Sequence, residues 1–359
     1  MKGVYVHIPF CKSRCAYCDF FSTTQLERRE EYVQALLSEI AARVPDNDPI
    51  DTIYFGGGTP SLLETEQIER LLNALLAKTP TLPQEITLEA NPGDLTLEKL
   101  TALKRLGINR LSIGVQSFND AELRLIGRRH NAAQAIQAVR DAQTAGFDNI
   151  SIDLIYALPE QSIESWRETI HTALQLGVQH ISCYCLSYED GTPLTRLLDD
   201  GKISRVDEDT ENKLYDELCE TLTANRFVHY EVSNFALPGR QSKHNSSYWN
   251  NTPYIGLGAG AHSYDGQNRR WNIANLAAYV RPMLSHSKYW EEETLTEEQK
   301  TIEQIMLGLR TKEGITLTEE LKPKAKPLIE QGLLKQKDAN IIATQSGLHI
   351  LNRIIEQLI

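Results

Sequence analysis

Six short, β-branched apolar runs, at residues 4–8, 52–55, 86–89, 110–113, 150–154 and 180–184, recur along the first half of the chain. Between them lie stretches with apolar residues at helical spacing, such as Tyr32, Ala35, Leu36 and Ile40, then Ile68, Leu71, Leu72, Leu75 and Leu76. A strand followed by a helix before the next strand pairs in parallel, because only a long crossover returns the chain to the same end of the sheet. Several runs read as continuously hydrophobic, as a parallel sheet covered by helices requires. Right-handed crossovers wind such units into a barrel or a doubly wound sheet, so the class is α/β; six units fall short of the eight in a closed barrel. After residue 205 the pattern loosens into a helix at 211–224, a strand at 228–232 and a loop-forming stretch with Gly256, Gly258 and Gly260. Residues 291–309 read as one helix with Ile302, Ile305, Met306 and Leu309 on a face, followed by apolar clusters at 328–334 and 341–343 and a last helix. That order suggests a small winged-helix-like unit. The expected parts are 1–225, 226–289 and 290–359.

At 359 residues the chain exceeds what one hydrophobic core normally supports. Lys and Arg number 37 against 48 Asp and Glu, a net charge of −11, which repels phosphate backbones and argues against nucleic acid as a partner. The winged-helix-like tail is itself net −3, so protein contact or packing suits it better than DNA. No apolar run reaches the roughly 18 residues of a membrane span, and the amino terminus enters a strand without a leader pattern. A cytoplasmic protein with at most peripheral membrane contact is expected. Six Cys are too few for a disulfide scaffold, yet three of them fall within eight residues.

Those three stand in His7-Ile-Pro-Phe-Cys11-Lys-Ser-Arg-Cys15-Ala-Tyr17-Cys18-Asp-Phe20, directly after the first strand. Three thiolates on one loop can hold three irons of a 4Fe-4S cubane and leave the fourth iron open to a small molecule. A structural zinc with His7 as fourth ligand, or unliganded thiols, are the alternatives. After the second strand comes Gly56-Gly57-Gly58-Thr59-Pro60, where consecutive glycines expose backbone groups to a ligand; a plain tight turn is the other reading. The stretch lacks a phosphate loop's Lys and a dinucleotide fingerprint's spacing. Glu89, Gln116, Arg128 and Asp153 then fall at successive strand ends. In a parallel barrel these ends open on one face, so the four converge with both loops in one pocket, unless each is a separate charge in water. Cys183 and Cys185 alternate along the sixth run and Cys219 falls in a helix, which suits packing; Lys322, Lys324 and Lys326 among prolines suit a solvated loop.

Cys-x3-Cys-x-Tyr-Cys resembles the signature of the radical S-adenosylmethionine (radical SAM) superfamily. The resemblance implies a partial (β/α)6 barrel and a 4Fe-4S cluster on Cys11, Cys15 and Cys18. It also implies S-adenosylmethionine held by Tyr5, Tyr17, Gly57, Gly58, Thr59, Glu89, Gln116, Arg128 and Asp153. Tyr5-Val-His-Ile-Pro-Phe-Cys, Gly-Gly-Gly-Thr-Pro, Glu89-Ala-Asn-Pro, Gly114-Val-Gln-Ser-Phe-Asn and Ile152-Asp-Leu-Ile-Tyr-Ala-Leu-Pro are similar, in order and spacing, to the coproporphyrinogen dehydrogenase-like branch. The tail is similar to that branch's small C-terminal domain.

Oxygen-independent coproporphyrinogen dehydrogenases carry a further Cys two residues after the third cluster Cys, and an extension ahead of the first strand. Here that position is Phe20 and the chain starts at the strand. Both departures resemble the sibling group of haem chaperones, HemW, which is marked by H-N-x-x-Y-W, here His244-Asn245-Ser-Ser-Tyr248-Trp249. An imidazole can ligate haem iron, and adjacent Tyr and Trp offer flat apolar surface; a lone His is otherwise a hydrogen-bonding residue, and His262 is a second candidate. The resemblance implies haem as ligand and acceptor haemoproteins as partners, those of the respiratory chain among them, with a cluster-dependent dimer as one assembly and no catalytic residue assigned. The rival reading is radical oxidative decarboxylation of coproporphyrinogen. A third, an iron–sulfur sensor without porphyrin, leaves Gln116, Arg128 and Asp153 unexplained.

Overall fold

The computed structural model describes residues 2–285 and 288–359. Six parallel strands stand side by side in chain order: β1 (Gly3–Ile8), β2 (Thr52–Gly57), β3 (Glu85–Ala90), β4 (Arg110–Gln116), β5 (Ile150–Tyr156) and β6 (His180–Cys185). Helices α1 (Arg29–Arg43), α2 (Thr65–Leu76), α3 (Leu97–Arg105), α4 (Asp120–Leu125), α5 (Ala132–Thr144) and α6 (Ile163–Gln175) fill the crossovers. Their starts are set locally, as where Asn131 and Gln134 form a capping box on α5 and Ser162 accepts the Ser165 N–H on α6. The partial (β/α)6 arrangement is as expected.

The strands are not continuously apolar. Ile53, Phe55, Leu88, Leu111, Ile113, Ile152, Leu154 and Ile181 join the core under the helices, while Tyr54, Glu89, Ser112, Asp153 and Ser182 occupy the alternate, inward positions. An interior that receives a polar ligand needs only its outer face apolar, and this corrects the continuous-run reading.

Beyond β6 come α7 (Pro193–Asp199), α8 (Glu208–Ala224) and the hairpin β7 (Val228–Glu231) and β8 (Asn234–Ala236), with β8 antiparallel to β6. After α9 (Lys243–Trp249), the chain crosses to the other flank, where β9 (Tyr254–Leu257) lies parallel to β1. β10 (His262–Tyr264), β11 (Asn268–Asn272), α10 (Leu276–Ser285) and β12 (Trp290–Thr294) follow, the strands as an antiparallel meander. Gly256, expected in a loop, lies in β9; a Cβ there would sit 1.9 Å from the His262 carbonyl oxygen, so only glycine lets β10 fold back this closely. The helix expected over 291–309 divides. Its first residues form β12, where Glu292 and Glu293 face Arg270 and Arg269 of β11, and opposite charges across a strand pair favour that pairing.

The remainder forms α11 (Glu297–Gly308), β13 (Ile315–Thr316), α12 (Leu321–Glu330), β14 (Leu334–Lys337), β15 (Asn340–Ala343), α13 (Gln345–His349) and α14 (Leu351–Leu358). These elements enclose a separate core including Leu309, Leu328, Ile341 and Ile354, in the winged-helix-like order expected. Lys322, Lys324 and Lys326 lie in helix α12 rather than in a loop: Pro323 occupies the first turn, where a missing N–H breaks no helical bond, and Pro327 is accommodated inside the helix. The unit is tied to the barrel where the Val232 N–H donates to the Arg310 carbonyl (2.8 Å), the Lys312 N–H donates to the Tyr230 carbonyl (3.2 Å) and His349 pairs with Asp216 (2.9 Å). Among the described residues no helix is long and apolar enough to cross a membrane.

Candidate functional site

The carboxyl ends of the six strands share a cavity of about 600 Å³. Cys11, Cys15, Tyr17 and Cys18 enter it from the loop after β1, Gly57, Gly58 and Thr59 from the end of β2 and the turn after it, and Glu89, Gln116, Arg128 and Asp153 from the following segments. The three thiols are free and half-buried, and burial pushes those of Cys11 and Cys18 up. Cys11 Sγ lies 3.6 Å from Thr59 Oγ1. Arg128 Nη1 donates to Cys15 Sγ at 3.2 Å, placing a cation against a sulfur that carries negative charge when it ligates iron. His7 braces the loop from below, with Nδ1 3.0 Å from the Tyr5 hydroxyl and Nε2 3.0 Å from the Phe21 carbonyl. Burial lowers its pKa to about 4.

With both nitrogens engaged, His7 would have to give up a hydrogen bond to serve as a fourth zinc ligand. Among the described residues no three His, Cys, Asp or Glu side chains form a group that could hold a metal ion. Zinc draws its sulfurs to about 2.3 Å from one centre, whereas a cubane spreads three cysteines over three irons. Three free thiols around one cavity can each meet a separate iron, which fits the cubane.

On the opposite wall, Glu89 Oε1 accepts the Tyr54 hydroxyl (2.7 Å) and Oε2 accepts the Gly57 N–H (3.0 Å). Burial raises its pKa to about 7. Gly57 has φ +108° and a Cβ there would lie 2.5 Å from the His7 ring, so this position in the glycine stretch requires glycine. Asp153 accepts from Ser112 Oγ (3.1 Å); burial raises its pKa, against the hydrogen bonds from Ser182 and Ser112. Gln116 sits at φ 71° where the β4–β5 register shifts, a conformation costly outside glycine and characteristic of ligand sites. Arg128 Nε is buried without a partner, an open donor beside the cavity. Two buried carboxyls for ammonium and hydroxyl groups, with an open guanidinium donor for a carboxylate, match the polar groups of S-adenosylmethionine.

Three residues of this region escape sequence reasoning. The Asp94 side chain is 3% exposed and accepts from Lys12 Nζ (2.7 Å) and Arg129 Nη2 (2.7 Å), strapping the cluster loop to the Arg128 segment. Arg110 is buried on the inward face of β4, two residues below Ser112, with Nε and Nη1 unpaired. Tyr54 meets Glu89 across 35 residues. The partners of Asp94 and Tyr54 lie far away in the chain and Arg110 reads as an ordinary strand residue, so local pattern holds no signal for them. Cys185, expected only to pack, lines the cavity, whereas Cys183 and Cys219 are buried.

Tyr5 lies elsewhere. It lines a neighbouring cavity of about 490 Å³ together with Tyr54, His244, Asn245, Tyr248 and Trp249, so the H-N-x-x-Y-W motif and Tyr5 share a wall. His244 is fully buried in α9, with Nδ1 2.8 Å from Thr52 Oγ1 and Nε2 2.8 Å from the Tyr248 hydroxyl. Burial lowers its pKa to about 3, with Arg110 adding to the effect. In this arrangement both nitrogens are engaged, because Tyr248 one helical turn on reaches back to the ring, so ligation of a haem iron would require one of these hydrogen bonds to be given up. His262 is exposed on β10 and stacks on Trp271.

Comparison with known proteins agrees with this fold. Residues 5–173 match the family described as Radical SAM superfamily, and residues 295–350 the HemN C-terminal domain. A Lactococcus lactis protein named heme chaperone HemW is 37% identical, the alignment covering 100% of this chain and 97% of the relative. The protein of that name from Bacillus subtilis is 35% identical over 99% and 98%. In structure, the coproporphyrinogen III oxidase HemN of Escherichia coli, a radical SAM enzyme, superposes with a TM-score of 0.84 at 25% identity, over 99% of this chain and 89% of that one. The chain thus belongs to the radical SAM superfamily, which implies a 4Fe-4S cluster and S-adenosylmethionine, and within it to the HemW family.

Proposed function

We propose that this chain is a haem chaperone on a radical SAM scaffold. It binds a 4Fe-4S cluster through Cys11, Cys15 and Cys18, S-adenosylmethionine beside Glu89, Gln116, Arg128 and Asp153, and haem at the cavity of His244, Asn245, Tyr248 and Trp249. It passes the haem to acceptor haemoproteins, such as those of the respiratory chain. The observation that carries this reading is the end-to-end similarity to proteins named heme chaperone HemW, at 35–37% identity. Phe20, where a dehydrogenase of this branch carries another cysteine, supports it.

The cluster, when bound, supplies an iron with open coordination sites. Glu89 and Asp153 accept from the cofactor's ammonium and hydroxyl groups, and Arg128 donates to its carboxylate. On the haem side, Trp249 and Tyr248 offer flat surface; ligation through His244 Nε2 exchanges the Tyr248 hydrogen bond for iron. The C-terminal unit is the surface we assign to acceptor contact, in a cytoplasmic protein with at most peripheral membrane contact and a cluster-dependent dimer as one assembly.

Likeness to HemN favours a second reading, oxidative decarboxylation of coproporphyrinogen. One experiment separates the two. Anaerobically reconstituted protein is mixed with haem, and separately with coproporphyrinogen, S-adenosylmethionine and reductant. The chaperone reading expects stoichiometric haem binding with a Soret band and unchanged coproporphyrinogen after hours. Conversion to protoporphyrinogen overturns it.

A further inference from the structure

The two cavities are separated by a wall that both use. Glu89 and Tyr184 line each of them. Glu89 divides its carboxylate between the two sides, accepting the Gly57 N–H of the glycine loop at 3.0 Å and the Tyr54 hydroxyl at 2.7 Å. The Tyr54 ring stacks on His244 with centroids 5.0 Å apart and planes 26° apart. His244 is held in turn by Thr52 and by Tyr248, both at 2.8 Å. An unbroken series of contacts therefore runs from the glycine loop through Glu89, Tyr54 and His244 to Tyr248. Tyr54 and His244, at its centre, are buried, where close packing leaves little room for one group to shift without its neighbour.

We infer that this wall couples the two sites, so that S-adenosylmethionine at Glu89 strengthens haem binding in the neighbouring cavity through Tyr54. The inference rests on the haem reading proposed above. A cationic amino group against Glu89 keeps the carboxylate as acceptor of the Tyr54 O–H. It thereby fixes the ring plane on which His244 stacks. Haem then meets a wall already in its bound arrangement, which is a differential affinity between two states of the protein. Reciprocity requires haem to strengthen S-adenosylmethionine binding by the same factor. Tyr54 acts through Glu89 and His244 and is a positioning residue.

The test is a pair of haem titrations on cluster-loaded, full-length protein under anaerobic conditions, followed by the Soret band, without and with saturating S-adenosylmethionine. The haem Kd is expected to fall at least about 5-fold with the cofactor present. Calorimetry is expected to show the reciprocal gain for S-adenosylmethionine when haem is bound. In Tyr54→Phe, which keeps the ring and removes the bond to Glu89, the ratio of the two haem Kd values falls towards one, whatever the variant does to either affinity alone. Should that variant lose its cluster absorbance, the two wild-type titrations decide by themselves. A haem Kd that is unchanged or weakened by S-adenosylmethionine overturns the inference and leaves the chaperone reading standing, and so does full enhancement persisting in Tyr54→Phe. Failure of the wild-type protein to bind haem at all overturns both.

Discussion

A carboxyl group that burial raises to about 7 changes its charge within the ordinary working range, and Glu89 is such a group. Above that pH it is an anion and holds a cationic amino group; below it, a proton must first leave. Affinity for S-adenosylmethionine is therefore expected to weaken about tenfold per pH unit below 7, the dependence of one displaced proton, and to flatten above it. Glu89→Gln removes the titration, so its binding is weaker and loses this pH dependence; calorimetry between pH 5.5 and 8.5 distinguishes the two, and a parallel slope in the variant would assign the proton elsewhere. The thiols give a second prediction. Cys15→Ser leaves the Arg128 guanidinium without its sulfur and the cubane without a ligand, and the 4Fe-4S absorbance after reconstitution is expected to disappear; a retained cluster would dismiss the three-thiol assignment. Both residues were visible in the sequence, because Glu89 ends a strand and Cys15 belongs to a tight cluster. Asp94 and Arg110 were not. Lys12 meets Asp94 across 82 residues, and Arg110 looks like the first polar residue of an ordinary strand.

Elements were legible where the pattern repeats and obscure where pairing is with a distant partner. All six parallel strands lie where the apolar runs put them, since each buries an apolar outer face under its own helix. β12 was hidden because Trp-Glu-Glu-Glu-Thr has no strand alternation and a single apolar residue; its strand state depends on pairing with β11, from which Arg270 stacks on Trp290. α9 shows the same dependence. Seven residues are too few for a stable isolated helix, and its first turn is held by the buried Glu85 carboxylate, which accepts the N–H groups of Lys243 (2.9 Å) and His244 (3.0 Å). Glu85→Ala is expected to destabilise the fold by about 1–3 kcal/mol, the usual consequence of unpairing buried donors, and to loosen the haem side while the cluster spectrum persists. Urea unfolding and haem titration on one preparation read both; unchanged haem affinity would mean that α9 holds its place without this cap. At the other flank, Gly256→Ala drives a Cβ into the His262 carbonyl and is expected to open the β9–β10 pairing, measured as a lower unfolding midpoint.

Across the whole molecule, folding buries two classes of titratable group that pull stability in opposite directions along the pH scale. Burial lowers His7 and His130 to about 4 and His244 to about 3, and also lowers His180 and His229. Between pH 6.5 and 4 the unfolded chain takes up protons at His7, His130 and His244 that the native protein refuses, so their contribution is lost as pH falls through that window, and His180 and His229 act in the same direction. Burial raises Glu89 and Glu231 to about 7 and raises Asp153. Glu89 and Glu231 keep protons in the native state that the unfolded chain has released, so their contribution is lost as pH rises from 4.5 towards 7, and Asp153 acts in the same direction. Where the windows overlap, His7, His130 and His244 outweigh Glu89 and Glu231 and stability climbs with pH. Above 6.5 the histidines are neutral in both states, and the carboxyls alone act, downward. Cofactor-free protein is therefore expected to be most resistant near pH 6.5, with lower urea midpoints at pH 5 and pH 8. A cation against Glu89 stabilises its ionised form, so S-adenosylmethionine is expected to relieve part of the alkaline loss and move the optimum upward. Midpoints that rise steadily through pH 8 without ligand would show that the interior carboxyls are already ionised in the empty barrel, with Arg110 as their counter-charge.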